Sequence, residues 1–262
     1  MVHADYGPWA VVAGGSQGVG AEFARLLAAA GINLILVARN PAPLGGTAEA
    51  CRALGVEVRT IATNLVDPAA VPDIIRLTDG LEVGLLIYNA GANTCSADFL
   101  DGGLADFQRV IDLNVTSMLA LVHHYGRLMR GRRRGGILLV GSMSGYYGSM
   151  RHSVYGGVKA FGRIFAESLW LELRDYNVHV LDLVLGVTRT PAMERFGLNF
   201  DVQGLRVSDP ADVAREGLER LPHGPVHVAG GNAGDADWCN DSDRVKVVVS
   251  IHERMKRLLG SG

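Results

Sequence analysis

Three side chains in the middle of the sequence have the types and the spacing for acid–base chemistry at an oxygen atom. Tyr155 and Lys159 stand four residues apart, and Ser142 precedes the tyrosine by thirteen residues. On a helix this spacing puts the ammonium beside the phenol, where a positive charge favours the phenolate. The Ser142 hydroxyl can hold a substrate oxygen beside the tyrosine. The set therefore predicts proton transfer to a carbonyl oxygen or from an alcohol, with Tyr155 as the acid or base.

A glycine-rich turn near the N-terminus predicts the partner of that proton transfer. The segment Gly14–Gly20 follows the apolar run Trp9–Ala13 and precedes a segment rich in alanine and leucine. Between a strand and a helix, such a turn brings backbone N–H groups against a pyrophosphate. Gly14 permits the tight turn, while Gly18 and Gly20 allow close approach to the ligand and to the sheet. The two motifs together indicate a nicotinamide-dependent carbonyl/alcohol oxidoreductase. For the turn alone, a glycine corner that binds no ligand is the alternative.

The tip of the second predicted strand bears on the choice of cofactor. That strand ends at Ala38, and Arg39 follows it. An acidic residue at this tip would bind the adenosine ribose of NAD, whereas Arg39 can pair with the 2′-phosphate of NADP. We therefore expect NADP(H) to be favoured over NAD(H), with a solvated strand-end arginine as the alternative. Within the turn, the predicted cofactor contacts are Gly14, Ser16, Gln17, Gly18, Val19 and Gly20.

Short apolar strands alternate with helices along the chain, and they must position these motifs. The predicted strands are Trp9–Ala13, Asn33–Ala38, Glu57–Ala62, Val83–Tyr88, Ile137–Val140 and Val178–Leu185. The predicted helices are Ala21–Ala30, Pro43–Leu54, one opened by Asp67–Pro68, Leu104–Met129 and Tyr155–Tyr176. This alternation implies a parallel sheet covered on both faces. We predict an α/β fold, a doubly wound Rossmann-type three-layer sandwich with a seven-stranded, mainly parallel sheet.

Composition narrows the class of protein. Nothing in the first ~230 of the 262 residues looks like a linker. We therefore expect a single catalytic domain over residues 1–262, with residues 188–207 as a substrate-binding lid. A net charge of −2 gives no electrostatic reason to expect nucleic acid or a membrane as partner. No apolar segment is long enough to span a bilayer, and the first residues lack the pattern of a signal peptide. Three widely separated cysteines favour a reducing compartment without a metal site. The sequence predicts a cytoplasmic protein that acts on a small molecule.

Over residues 9–228 the chain resembles the short-chain dehydrogenase/reductase family of the Tyr-x-x-x-Lys type. The catalytic serine, tyrosine and lysine of that family match Ser142, Tyr155 and Lys159, and its helix-borne catalytic asparagine matches Asn114. The resemblance implies that Lys159 also binds the nicotinamide ribose. It further implies that Asn114 holds a water molecule that continues a proton relay to solvent. Hydride transfer between a nicotinamide and a secondary alcohol or ketone is the implied activity.

The resemblance also implies further cofactor contacts, some at positions that depart from the family pattern. Ala13 stands where the family's glycine motif has threonine, and Asn64 stands where an acidic residue usually meets the adenine. The family's Asn-Asn-Ala-Gly motif after the fourth strand appears as Tyr88-Asn89-Ala90-Gly91, and its Pro-Gly after the sixth strand appears as Leu185-Gly186. The implied contacts are Asn64, Leu65, Asn89, Ala90, Gly91, Val187 and Thr190, together with Tyr155 and Lys159.

The sequence bears less directly on the substrate and on the oligomeric state. The residues that fall where this family forms its substrate pocket are apolar, which suggests a steroid-like, lipid-like or acyl ketone; they are Met143, Met150, Met193 and Phe196. A 3-oxoacyl-thioester reductase and a non-catalytic NADP-binding sensor or scaffold are the alternatives. A homodimer or homotetramer is usual in similar proteins. Residues 240–262 are predicted to form a C-terminal helix that diverges from the family.

Overall fold

The computed structural model of the protein describes residues 5–195 and 197–258, and Phe196 therefore lies outside the described residues. Seven strands form one sheet in the order β3-β2-β1-β4-β5-β6-β7, and each neighbouring pair is parallel. This confirms the predicted sheet. The strands are β1 Trp9–Ala13, β2 Asn33–Ala38, β3 Val58–Ala62, β4 Val83–Tyr88, β5 Gly135–Ser142, β6 Val178–Leu185 and β7 Val226–Val228.

Helices follow most strands and complete the doubly wound arrangement. Among residues 5–195 and 197–258, none of them combines the length and the hydrophobicity that crossing a bilayer requires. The α-helices are α1 Gly18–Ala29, α2 Pro41–Arg52, α3 Ala70–Leu77, α4 Leu104–Ile111, α5 Ser117–Arg132, α6 Ser153–Leu173, α7 Pro191–Arg195, α8 Pro210–Arg220, α9 Ala233–Cys239 and α10 Arg244–Leu258.

Two hydrophobic cores lie on opposite faces of the sheet. Successive residues of β1 point to opposite faces, so that Val12 packs in one core and Val11 in the other. Helices α1, α2 and α8 cover the first core, and α3, α5 and α6 cover the second. A third, smaller cluster joins α9 and α10 to Met143 and Val184 at the carboxyl end of the sheet. This end of the molecule carries the motifs predicted to do chemistry.

Two predicted helices are wrong in detail. Asp67 and Pro68 form a turn ahead of the helix, in which the Asp67 carboxylate accepts the backbone N–H of Ala69 at 2.9 Å. Helix α3 begins only at Ala70. The long predicted helix Leu104–Met129 is interrupted by a π-helical turn, Asp112–Thr116, which separates α4 from α5. Such turns insert one residue and are frequent at functional sites.

Candidate active site

The glycine turn after β1 is locked against the segment that follows β4. Gly14 has a φ of +85°, and a Cβ there would lie 2.9 Å from the backbone of Ala90. The Asn89 side-chain amide donates to the carbonyl oxygen of Gly14 at 2.9 Å. At Gly20 a side chain would clash with that same carbonyl. Asn89, Ala90, Gly14 and Gly20 thus hold the turn in shape.

The N-terminus of α1 opens into the space beside this turn. Gln17 precedes the helix, and among the described residues no side chain caps the helix or places a carboxylate in its first turn. The first backbone N–H groups of a helix lack partners within the helix, and they favour an anion. Gly18 has a φ of +55°, and a Cβ there would contact Thr190 at 3.0 Å. This uncapped end and its glycines fit the pyrophosphate of a dinucleotide.

The catalytic candidates come from β5 and α6. Ser142 is the last residue of β5, which continues two residues beyond the predicted strand end at Val140. Tyr155 and Lys159 lie one turn apart in α6, and the Lys159 Nζ is 5.7 Å from the centre of the tyrosine ring. Lys159 is buried, and its ammonium donates to the Val140 carbonyl at 2.8 Å. The lysine charge is therefore held in a fixed place beside the phenol.

Asn114 approaches the same lysine from the π-helical turn. Its amide nitrogen donates to the carbonyls of Val110 at 2.9 Å and Ala92 at 3.0 Å. Bonding to the carbonyl four residues back competes with the helical ladder and accounts for the local distortion. A Cβ at Gly91 would lie 2.5 Å from both the Asn114 Oδ1 and the Lys159 Nζ. The asparagine oxygen and the lysine ammonium therefore converge on the space that Gly91 leaves open.

One cavity of about 480 Å³ brings most of these predicted residues together. Met143 and Met193 line it too, whereas Met150 does not and is exposed. The predicted cofactor and catalytic residues in its wall are Gln17, Gly18, Val19, Asn89, Gly91, Ser142, Tyr155, Lys159, Val187 and Thr190.

The predicted contacts for the adenosine end lie elsewhere. Arg39 follows β2 with an exposed side chain that makes no hydrogen bond or ion pair within the described parts of the chain. Asn64 is exposed after β3, whereas Leu65 is buried in the core and its carbonyl accepts the Ser117 hydroxyl at 2.6 Å. The Ser16 carbonyl accepts the Thr47 hydroxyl at 3.0 Å. None of these four predicted residues lines the cavity.

Two groups of site residues were missed by the sequence predictions. The C-terminal helices add Asp235, Trp238, Ile251 and Arg254 to the cavity wall. Ile251 and Arg254 fall within the predicted C-terminal helix, whose pattern predicts a helix but not its packing site, and no signal was found for Asp235 and Trp238. The other is Asp182, which is 1% exposed in β6. A carboxylate inside the apolar run Val180–Leu185 was the available signal.

Burial decides the protonation of Asp182. Desolvation raises its pKa from 3.8 to about 7, while Lys159 and Arg163 act in the opposite direction and Glu167 in the same direction. Its Oδ2 has no hydrogen-bond partner among the described residues. A carboxyl in this state is neutral below pH 7 and charged above it.

Comparison with known proteins identifies the family. The sequence pattern of the short chain dehydrogenases matches residues 8–199. The chain belongs to the short-chain dehydrogenase family. As a short-chain dehydrogenase it is an NAD(P)-dependent oxidoreductase that transfers hydride between a nicotinamide and a secondary alcohol or ketone.

Similar short-chain dehydrogenases include enzymes of two kinds. The chain is 31% identical to a 7beta-hydroxysteroid dehydrogenase of Collinsella aerofaciens over 72% of each chain. It is 32% identical to a very-long-chain 3-oxoacyl-CoA reductase of Podospora anserina over 72% of this chain and 57% of that one.

Solved structures of short-chain dehydrogenases resemble this one over nearly the whole chain. A structure of 7beta-hydroxysteroid dehydrogenase superposes with a TM-score of 0.86 and 26% identity over 99% of both chains. A short-chain dehydrogenase from Sphingobium yanoikuyae in complex with NADPH superposes with a TM-score of 0.79 and 26% identity over 97% of this chain and 96% of that one.

Proposed function

We propose that Tyr155 exchanges the proton with the substrate oxygen, and that Ser142, Lys159 and Asn114 assist it. One observation carries this assignment: the tyrosine, with the lysine ammonium fixed 5.7 Å from its ring, shares a cavity with the uncapped end of α1. A nicotinamide bound there supplies or accepts the hydride. The residues of the chain manage the proton and the position of the substrate.

Each assisting residue has a distinct part in this proposal. The Ser142 Oγ accepts the Ser144 backbone N–H at 3.2 Å, which leaves its own proton to donate to the substrate oxygen. Lys159 stabilises negative charge on the phenol and, with two donors left beyond its bond to Val140, can also bind a ribose hydroxyl. The Asn114 Oδ1 is buried, has no hydrogen-bond partner among the described residues, and lies with the Lys159 ammonium beside Gly91. It can hold a water molecule that hands the proton on.

For the cofactor, NADP(H) in preference to NAD(H) is proposed. The support is the end of β2, where Ala38 offers no carboxylate to a ribose and Arg39 presents an exposed guanidinium. The bound NADPH of the Sphingobium yanoikuyae relative agrees with this choice. Separate rates with NADPH and NADH test it directly.

The substrate proposed is a bulky apolar ketone or secondary alcohol, such as a steroid. The cavity that Tyr155 lines also has Met143, Met193, Leu198 and Trp238 in its wall. Together these side chains can bury an apolar molecule. The 7beta-hydroxysteroid dehydrogenases among the relatives support a substrate of this shape. The 3-oxoacyl-CoA reductase relative makes an acyl thioester the second candidate.

The segment 188–207 is proposed to act as the lid of this cavity. Its ends are tied by backbone bonds, since Ser208 donates to Val187 and accepts from Arg189. Between these ends Met193, Leu198 and Leu205 face the cavity. Hydrogen exchange in this segment that slows when cofactor and substrate bind together would support a closing lid.

The remaining proposals concern the cell and the assembly. Residues 1–262 are proposed to form one domain that works as a homodimer or homotetramer, which light scattering in solution tests. Cys51, Cys95 and Cys239 are free thiols, and this supports a reducing compartment such as the cytoplasm. Fractionation of the cell of origin tests the location.

Oxidation of NADPH in the presence of a panel of steroid ketones, smaller apolar ketones and 3-oxoacyl thioesters tests the proposal as a whole. Turnover of steroid ketones supports the first candidate, and turnover confined to thioesters supports the second. Cofactor binding without turnover of any carbonyl would favour the non-catalytic sensor or scaffold.

A further inference from the structure

A second, much smaller cavity of about 20 Å³ lies behind the catalytic lysine. Its polar wall includes Asn114, Lys159 and Asp182, and Met118, Leu139 and Val158 supply apolar wall. The volume is enough for one water molecule, which requires two or more polar partners. Asp182 is the acidic group in this wall.

Two polar atoms of the wall residues lack hydrogen bonds within the described structure. They are the Oδ1 of Asn114 and the Oδ2 of Asp182, and both are buried. An acceptor left without a donor costs about 1–3 kcal/mol, so such atoms normally meet protein or water. The lysine ammonium is a donor in the same wall, since Val140 takes only one of its three protons.

The strand next to Asp182 leaves room for its carboxyl. A Cβ at Gly141 of β5 would lie 2.6 Å from the Asp182 Oδ1. Any residue larger than glycine would displace the carboxyl from the place where it borders the cavity. The position of the carboxyl therefore depends on β5 as well as β6.

Charged and titratable groups face Asp182 from the elements around it. Helix α6 contributes Lys159, Arg163 and Glu167, the turn after β5 contributes Tyr146, and β4 contributes Tyr88, which lines the small cavity. Arg163 bonds Glu167 at 3.4 Å and lies over the Tyr146 ring at 4.6 Å, its Nε has no partner among the described residues, and it does not line the small cavity. Lys159 is thus the cation that shares the small cavity with the carboxyl.

We propose that Asp182 is a positioning residue for Lys159, joined to the lysine ammonium by one water molecule in the small cavity. The charge of the carboxyl then sets the field that the lysine exerts on Tyr155. A neutral carboxyl leaves the lysine charge undiminished and favours the phenolate, whereas a carboxylate offsets part of that charge. This inference rests on the acid–base role proposed for Tyr155.

A titration of the protein without cofactor or substrate tests the link. Aspartate labelled with ¹³C in the carboxyl group gives a resonance for Asp182, which the variant Asp182→Asn identifies by its loss. We expect this resonance to titrate at a higher pH in Lys159→Met than in the wild type, because a neighbouring cation has been removed. Lys159→Gln gives the same comparison if the first variant does not fold. An unchanged titration would overturn the proposal.

The pH profile of alcohol oxidation tests the effect on Tyr155. In Asp182→Asn the amide is neutral at every pH, so the rising limb of the rate profile should move to lower pH by about half a unit or more. Glu172→Gln is the matched control, because it removes an exposed carboxylate of the same helix that lies outside the small cavity. The rising limb of the control variant should stay at the wild-type pH. Equal shifts of the limb in the two variants would contradict the proposal. A wild type without turnover would count against the proposed function alone, and the resonance titration would still decide the role of Asp182.

Discussion

At the scale of single residues, the proposed chemistry depends on which hydrogen-bond donor or acceptor each polar side chain retains for a ligand. Ser142 takes a backbone N–H and keeps its proton, Lys159 is anchored by one carbonyl, and Asn114 is anchored by two and keeps its oxygen. A group that is held and still has a free donor or acceptor is prepared to act on a ligand. Each of the three side chains is therefore held by the protein backbone and keeps a donor or acceptor for a ligand.

Ser142→Ala should lower kcat about 100-fold, because a donor aimed at the reacting oxygen contributes roughly that much. The matched control is Ser144→Ala, which also changes a serine in the cavity wall but retains the backbone N–H that Ser142 accepts. Steady-state kinetics of both variants check the expectation. Equal losses in the two variants would mean that Ser142 has no special part.

Gly91→Ala should lower kcat about 10- to 100-fold while the protein still folds. The added methyl group would lie 2.5 Å from the Asn114 Oδ1 and the Lys159 Nζ, and small displacements of catalytic groups cost rates of this order. Gly157→Ala in α6 is the control, because a Cβ there meets no atom within 4 Å. Kinetics together with thermal unfolding check the result. Full activity in Gly91→Ala would show that the asparagine and the lysine need not keep their present places.

At the scale of elements, the site depends on where strands end and helices begin. The carboxyl ends of β1, β4, β5 and β6 all lead into segments that line the large cavity. Parallel strands deliver such ends to one edge, which is why ligands bind there in open α/β sheets. Helix α6 then presents Tyr155 and Lys159 to that edge.

Arg39, just beyond the end of β2, carries the prediction about cofactor choice. Arg39→Ala should raise the KM for NADPH about 10- to 100-fold and leave the KM for NADH almost unchanged, since charge-assisted hydrogen bonds have this strength. Arg76→Ala removes another exposed arginine, from α3, and should change neither value. Initial rates at varied cofactor concentration check it. Parallel changes in both KM values would contradict recognition of the 2′-phosphate.

Many of the elements could be predicted from the sequence, whereas several site contacts could not. Apolar strands such as Val83–Tyr88 alternate with helices, and that pattern alone requires a parallel sheet. The convergence of Asn114 and Lys159 on Gly91 joins segments far apart in the chain, so no local pattern contains it. The same holds for Asp182, because the position of its carboxyl depends on Gly141 in the neighbouring strand. The turn at Asp67 could not be told from a helix start, because the same Asp-Pro-Ala sequence with the same side-chain bond begins α8 at Asp209.

At the scale of the whole molecule, a buried carboxyl links catalysis to stability. The pKa of Asp182 is raised by burial to about 7, so the folded protein holds a proton that the unfolded chain releases near pH 4. The contribution of this proton to stability is complete below about pH 4 and is lost as the pH rises to about 7. A buried charge at this position therefore destabilises the folded wild type only above about pH 7.

Relative to Asp182→Asn, the wild type should therefore lose up to about 4 kcal/mol in the free energy of unfolding between pH 4 and 7. The amide has no proton to release, so its own curve lacks this fall. Asp79→Asn, which changes an exposed aspartate, should run parallel to the wild type. Urea unfolding at a series of pH values checks the slopes. A constant difference between wild type and Asp182→Asn would contradict the assigned titration.

The central claim is that Tyr155 moves the proton, and Tyr155→Phe beside Tyr147→Phe tests it most directly. Both tyrosines line the large cavity, so the pair separates loss of the reacting phenol from loss of any cavity hydroxyl. With NADPH and a ketone that the wild type reduces, Tyr155→Phe should lose at least ~100-fold in kcat and still bind NADPH, whereas Tyr147→Phe should stay within a few-fold of the wild type. Reduction by Tyr155→Phe at the wild-type rate would contradict the account.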